Sequence, residues 1–327
     1  MNTRDLRSPS LAPGSEFSGR FLLRKVARKV ARNEQPFLTV EVGDRAGSFS
    51  FNLFSDHPMF AELEAAPEGT VLDLSGRADN FNGRFSPRIS QIAVMRIEEL
   101  DTVELDNLVE SAPESADSLW AVIEATLARI EPAPLQAAVR SVFNELGARF
   151  RVAPAASSMH HAYRHGLLEH TAHMARAAQA LLPIYPEVHP GLALAGVLLH
   201  DIGKAVEFES GINPRRGRTG VLNGHVVLGY RIARRACISA KLDDDLTERL
   251  EHIILSHQGE LEWGAAVMAA TPEAVFVSMV DNLDARMGMV QRALRTAAPA
   301  TEFSDYMPGL KTQLLIQPPG PRDTQGA

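Results

Sequence analysis

Ten of the eleven histidines lie between His160 and His257, and carboxylates interrupt apolar runs in and just beyond that stretch. Five short segments carry the chemistry: Leu168-Glu169-His170-Thr171, Leu199-His200-Asp201-Ile202-Gly203-Lys204, Asn223-Gly224-His225, Leu255-Ser256-His257-Gln258 and Val280-Asp281-Asn282-Leu283-Asp284. Imidazole and carboxylate are the side chains that hold borderline divalent cations. Leu192–Leu199 is apolar on every side, so this helix should be buried, with His200 and Asp201 closing it. Gly203 then lets the chain turn out of the helix. A buried, unpaired carboxylate costs several kcal/mol or more, so Asp201 requires cationic compensation, and a metal with imidazole co-ligands supplies it. Neighbouring side chains on a helix differ by about 100° in direction, yet near its end both can turn to one ion, and a carboxylate can bridge two.

The ligand set read in this way is His170, His200, Asp201, His225, His257 and Asp281. It contains no thiolate, which disfavours structural zinc; Mn²⁺, Fe²⁺ and Co²⁺ all suit it, as one ion or two. Lys204 and Arg164 are candidates for a substrate phosphate, the first as a point charge and the second as a planar fork. Asp284, one helical turn after Asp281, is either a member of the same pocket or a supporting acid. His161, His165, His173, His252 and His160 read as pocket-wall, core or solvated histidines; His189 and His57 carry no assigned role.

The elements that must position these groups begin at about Ser118. Apolar residues recur at helical spacing through Leu119, Val122, Ile123, Leu127 and Ile130, then Leu135, Val139, Val142, Phe143 and Leu146. The period continues through Leu167–Leu182, Gly191–Leu199, His225–Arg235, Asp244–Ser256 and Pro272–Ala293, with no strand pair in this half. The N-terminal half is different. Phe21–Val30, Phe37–Val42, Ser48–Phe54, Val71–Ala78 and Ile89–Ile97 read as five strands, with a helical turn at Met59–Glu64. Alternation in β-like Ser48–Phe54 places Phe49, Phe51 and Leu53 on one face, as core. Five strands of this length fit a small closed barrel of the OB type.

Composition bounds the rest. The chain has 327 residues, 45% hydrophobic and 22% charged, as expected for two folded domains. The longest small-or-apolar run, Gly191–Leu199, is about half a bilayer span, and no leader pattern is evident, so a cytoplasmic protein without a membrane is expected. A single cysteine, Cys237, fits a reducing compartment. The net charge of −7 gives no general attraction to nucleic acid, but residues 20–32 hold Arg20, Arg24, Lys25, Arg28, Lys29 and Arg32 and no acid. On the barrel, Arg24, Lys25, Arg28 and Arg84 could track phosphates, while Phe81 and Phe85, flanking a loop at Asn82-Gly83-Arg84, could stack bases. The basic run could equally be the solvated face of a first strand.

The order His…His-Asp…His…Asp on helices is similar to that of the HD-domain metal-dependent phosphohydrolases. His160-His161-Ala162-Tyr163-Arg164, Gly166-Leu167-Leu168-Glu169-His170-Thr171, Asn223-Gly224-His225, Ile254-Leu255-Ser256-His257, Glu260–Gly264, Thr271-Pro272-Glu273-Ala274 and Asp281–Arg286 resemble the HD domain of YhaM-type 3′→5′ exoribonucleases. That resemblance implies an N-terminal OB-fold, metal ligands at the six positions above, and removal of nucleotides from the 3′ end of single-stranded RNA, with single-stranded DNA a further substrate class. It also implies a homo-oligomer. Asp201 would orient the attacking water and Lys204 would neutralise phosphate charge. The family usually has a second histidine after the one at 257; here it is Gln258, a poorer ligand. Arg215, Arg216 and Arg218 extend the possible substrate track.

The expected organisation is a mobile tail at 1–15, an OB-fold nucleic-acid-binding domain at 16–100, an acidic linker and helical lead-in at 101–155, an HD domain at 156–300 and a C-terminal tail at 301–327. Two other readings stay open: a nucleotide phosphohydrolase or cyclic-nucleotide phosphodiesterase on the same HD chemistry, and a non-catalytic single-strand-binding protein with a decayed HD half.

Overall fold

A computed structural model describes all residues except 7–10, 13, 32–33, 82–83, 86, 157–160, 162, 210–214, 297–301 and 318–327; for Arg4, Asn80, Phe81, Arg84, Thr102 and Thr296 it describes the backbone alone. The chain forms two compact units, Met1–Ser111 and Ala112–Ala327.

The first unit contains α1 (Thr3–Leu6), β1 (Glu16–Val30), β2 (Pro36–Asp44), β3 (Gly47–Phe54), α2 (Phe60–Ala65), β4 (Val71–Arg77), β5 (Asn80–Phe81), β6 (Arg84–Phe85), β7 (Arg88–Met95) and α3 (Thr102–Leu108). Five strands form an antiparallel sheet in the order β3-β2-β1-β4-β7. The long β1 makes this possible: residues 16–22 pair with β4 and residues 22–30 with β2. A register shift between Leu23 and Lys25 marks the bend, where Phe21, Leu22 and Leu23 are all buried. Among the described residues β3 and β7 do not pair, so the sheet is barrel-like but not closed, and the expectation of a closed barrel is corrected.

Phe49, Phe51 and Leu53 of β3 point into the core, as the alternation requires, beside Phe21, Leu38, Val40, Leu72 and Leu74. Part of the expected mobile tail is packed: Leu6 is buried in this core, and the Thr3 N–H and hydroxyl both donate to the Asp44 carboxylate. The reason is local, since one apolar side chain and one satisfied cap suffice to hold a single helical turn.

The second unit contains α4 (Ala116–Leu127), α5 (Ala133–Val152), α6 (Gly166–Leu181), α7 (Pro190–Leu199), α8 (Lys204–Glu207), α9 (Arg218–Ser239), α10 (Asp244–Ser256) and α11 (Pro272–Thr296). The apolar α7 is the axis of this bundle: Gly191–Leu199 is buried throughout, with α4, α5, α6, α10 and α11 packed around it. Residues 112–155, within the expected linker and helical lead-in, form core helices, with Leu119, Ile123, Leu135, Val139 and Phe150 fully buried. His189 caps α7 by accepting the Leu192 N–H on Nδ1, and His57 accepts that of Met59. Residues 302–317 form isolated bridges, Phe303 to Leu315 and Met307 to Thr312.

Just before α4, Glu114 binds Arg176 of α6 through two hydrogen bonds of 2.7 and 2.8 Å and accepts a third from the Ser118 hydroxyl. These bonds hold its carboxyl at about 2, below the usual 4.5, with Arg176 the larger cause. A depressed carboxylate contributes stability above its unfolded value, and that contribution disappears as pH falls through the folded one. Glu114→Gln should therefore cost about 1 kcal/mol or less at neutral pH, because the pair is partly solvated. Urea titrations of both proteins should converge as the pH drops from about 4.5 towards 2, and a gap that widens on acidification would contradict this.

Candidate metal centre

All six expected ligands converge in the helical unit. His170 comes from α6, His200 and Asp201 from the end of α7, His225 from α9, His257 from the end of α10 and Asp281 from α11. The His170 Nε2 atom lies 3.2 Å from His200 Nε2, 3.2 Å from Asp281 Oδ1 and 3.8 Å from Asp201 Oδ2. On the other side of the same carboxylate, Asp201 Oδ1 lies 3.4 Å from both His225 Nε2 and His257 Nε2. Asp201 thus offers one oxygen to each of two donor groups, His170–His200–Asp201 and Asp201–His225–His257.

The imidazoles are oriented by what their far nitrogens touch. His200 Nδ1 faces the Val197 carbonyl at 2.9 Å, and His257 Nδ1 faces the Ile254 carbonyl at 2.7 Å. A nitrogen facing a carbonyl must donate, so each Nε2 turns a lone pair inward. His170 Nδ1 faces Asp284 Oδ2 at 2.7 Å. Lone pairs and a carboxylate directed at one another repel unless a cation lies among them. Metal–ligand bonds of about 2.0–2.2 Å place adjacent ligand atoms about 3–3.5 Å apart, close to the separations found. Asp201 Oδ1 is moreover buried without a hydrogen-bond partner. The donor set therefore fits a divalent cation.

The same electrostatics favour a proton on His170. Burial disfavours a charged His170, but hydrogen bonds to Asp281 and Asp284 outweigh it and push its pKa up to about 10. Burial likewise opposes ionisation of Asp281, yet His170 and His200 bring it down to about 2. Asp201 stays ionised against a large burial penalty, chiefly because Lys204 and His200 are close. For His225, burial dominates and lowers the pKa.

Gly203 plays a different part from the one its position implies. Its φ of −59° is ordinary helical geometry, so the turn does not require glycine. What requires it is packing, since a Cβ there would lie 2.0 Å from the His225 carbonyl oxygen and 2.7 Å from the Gly229 nitrogen. Gly224 is the true conformational glycine: at φ 69° and ψ 157° it breaks α9 immediately before His225.

Lys204 is buried and bonds Asp201 Oδ2 at 2.5 Å, so it faces the carboxylate at the centre. Arg164 is half-buried, and its carbonyl accepts the Ala112 N–H. In the N-terminal unit Lys25 is exposed, Arg24 reaches the Asp44 carbonyl, and Arg28 pairs with Glu64 at 2.8 Å. Arg20 of the same run pairs with Asp73 and Glu104, so the run is partly neutralised in space. Phe85 lies in β6, and its half-buried ring packs edge-on against Phe49 at 5.4 Å. Phe81 and Arg84 pair in the β5–β6 ladder, but their side chains, like Arg32 and His160, fall outside the described residues.

Among the groups behind the ligands, Asp284 stands in the sequence reading as a pocket or supporting acid, whereas Tyr163 and Glu207 carry no role there. Asp284 accepts from His170 and also faces His161 Nε2 at 3.0 Å and His173 Nδ1 at 3.3 Å. Glu169 binds His161 Nδ1 at 2.8 Å and the Tyr163 hydroxyl at 2.5 Å. Glu207 places Oε2 3.4 Å from His225 Nδ1. The available signal was an acid inside an apolar helical stretch; what it lacked was a partner, which only the folded chain supplies.

Residues 167–286 match the HD domain family. Over 306 residues, 93% of this chain and 94% of the relative, the sequence is 29% identical to the 3′-5′ exoribonuclease YhaM of Shouchella clausii (strain KSM-K16). The resemblance carried by the motifs is thus borne out over nearly the whole length.

Two outcomes follow from the geometry. Gly203→Ala should destabilise the helical unit by about 1–3 kcal/mol through overpacking against α9, read as a lower urea midpoint; wild-type stability would mean that the two backbones do not approach so closely. Metal uptake should release protons, because cation and proton compete for the same imidazole nitrogens, and affinity should fall as pH drops below about 10, where His170 takes up its proton. Calorimetry in buffers of different ionisation enthalpy measures that release, and buffer-independent heats would refute it.

Proposed function

We propose, for a chain whose residues 167–286 match the HD domain and which is similar to a YhaM enzyme along nearly its whole length, that it is a metal-dependent 3′→5′ exoribonuclease. Single-stranded RNA is the main substrate, single-stranded DNA a second, and the cytoplasm the site of action. The observation that carries this reading is the buried Asp201 carboxylate with a separate donor group on each of its oxygens.

His170, His200, Asp201 and Asp281 would hold one ion, and Asp201, His225 and His257 a second, with Mn²⁺ the best fit to mixed imidazole and carboxylate ligands. Such ions polarise a phosphate oxygen, acidify water and stabilise the leaving oxygen. The chain's own groups do the rest. Backbone carbonyls and Asp284 hold the imidazoles so that little reorganisation is needed when substrate arrives. Lys204 fixes Asp201 with one ammonium hydrogen and has others to offer a phosphate. Gln258 puts its amide nitrogen 3.1 Å from both His225 Nε2 and His257 Nε2, so it borders the second donor group.

The OB-type sheet would retain the upstream strand, with Arg24, Lys25, Arg28 and Arg84 tracking phosphates and Phe81 and Phe85 stacking bases, while Arg164 of the helical unit would hold a substrate phosphate. Arg28 would exchange Glu64 for phosphate. A homo-oligomer is supported by the exposed apolar row Val275, Met279, Leu283 and Met287 on α11. No helix among the described residues is long and apolar enough to cross a membrane.

A 5′-labelled RNA with a free 3′ hydroxyl should shorten stepwise from its 3′ end, fastest with Mn²⁺ among Mn²⁺, Mg²⁺, Co²⁺ and Zn²⁺. The double variant His200→Ala, Asp201→Ala should lose about three orders of magnitude in rate, matching several kcal/mol of charge stabilisation. Undiminished cleavage by that variant, or turnover of free nucleotides alone, would sink the proposal.

A further inference from the structure

The four ligand imidazoles are not anchored alike. His200 and His257 each direct Nδ1 to the carbonyl three residues back in their own helix, Val197 and Ile254. His170 uses Asp284. At His225 the helix is broken one residue earlier by Gly224, so the local carbonyl device is not available. The group that its Nδ1 faces is Glu207 Oε2, at 3.4 Å.

Glu207 is only 1% exposed, and a carboxylate so placed needs a fixed counter-charge. Arg216 supplies it, with Nε 3.0 Å from Glu207 Oε1. The surrounding backbone holds the pair in register: Gly217 N–H donates to the Glu207 carbonyl at 3.0 Å, and Phe208 bridges to Arg216. Arg216 itself is half in solvent, between Arg215 and Arg218, where charge alone would mark it as nothing more than a phosphate contact.

We propose that Glu207 and Arg216 are a positioning pair for His225, with Glu207 orienting the imidazole towards Asp201 and Arg216 holding Glu207 in place. This rests on the metal reading above. It makes a surface arginine of the basic strip matter for metal binding before any RNA is present. Carboxylates behind ligating histidines typically contribute 10–100-fold to metal affinity.

The test is titration of metal-stripped protein with Mn²⁺ alone, free ion being followed by its electron-spin resonance, with circular dichroism as the control for folding. Glu207→Gln should weaken the weaker Mn²⁺ site by about 10–100-fold. Arg216→Ala should weaken the same site, and Arg216→Lys should recover part of the loss. Arg218→Ala, which alters the same strip without touching Glu207, should bind Mn²⁺ as the wild type does. If Glu207→Gln fails to fold, the Arg216 variants decide alone. Wild-type Mn²⁺ affinity in folded Arg216→Ala and Glu207→Gln would overturn the positioning role and leave the metal centre standing. A wild-type protein that takes up no Mn²⁺ would instead overturn the function proposed above.

Discussion

The charge on Asp201 organises the helical unit. This carboxylate sits at the end of α7, the most deeply buried helix, where an isolated ion would be far too costly. Lys204 at 2.5 Å supplies its counter-charge, and four imidazoles surround it, two beside each oxygen. Because these groups come from α6, α7, α8, α9 and α10, satisfying one buried charge fixes how five helices meet. Packing and polar chemistry are therefore not separable here: the apolar faces bring the helices together, and the shared carboxylate selects their register.

Around that centre the structure uses a repeated device, a donor nitrogen turned outward so that its partner nitrogen faces in. Two histidines use carbonyls of their own helices, one uses Asp284 and one faces Glu207. Asp284 has the most partners, lying within 3.3 Å of His161, His170 and His173, and its carboxyl is held far below the usual range despite burial, chiefly by those hydrogen bonds. Together with Glu169 and Tyr163, these residues form a polar layer behind the first donor group. The layer behind the second donor group, built on Glu207 and Arg216, is thinner and opens to solvent.

The N-terminal unit follows a simpler rule. Period-two alternation in β3 was readable as a buried face because sheet geometry is local, and Phe49, Phe51 and Leu53 do line the core. Closure was not readable, because pairing of β3 with β7 depends on the accumulated bend of β1. The basic run was visible as charge, whereas its acidic partners Asp73, Glu104 and Glu64 lie on other elements. Asn82-Gly83 marks a turn before Phe85, but only the fold shows that its ring meets Phe49 and Phe17.

From residue types and spacing alone came the helices, the strands and the six imidazole and carboxylate positions that the fold brings together, since an acid or imidazole inside an apolar helix stands out against its period. Tertiary structure alone decided which groups stand behind the ligands. His170 and Asp284 are 114 positions apart, and no local pattern encodes that they meet. It decided as well why Gly203 is glycine: the constraint is the backbone of another helix, invisible to any reading of φ preference. Short-range geometry is written in neighbouring residues, but compensation of a buried charge is settled by whichever elements packing brings within a few ångströms.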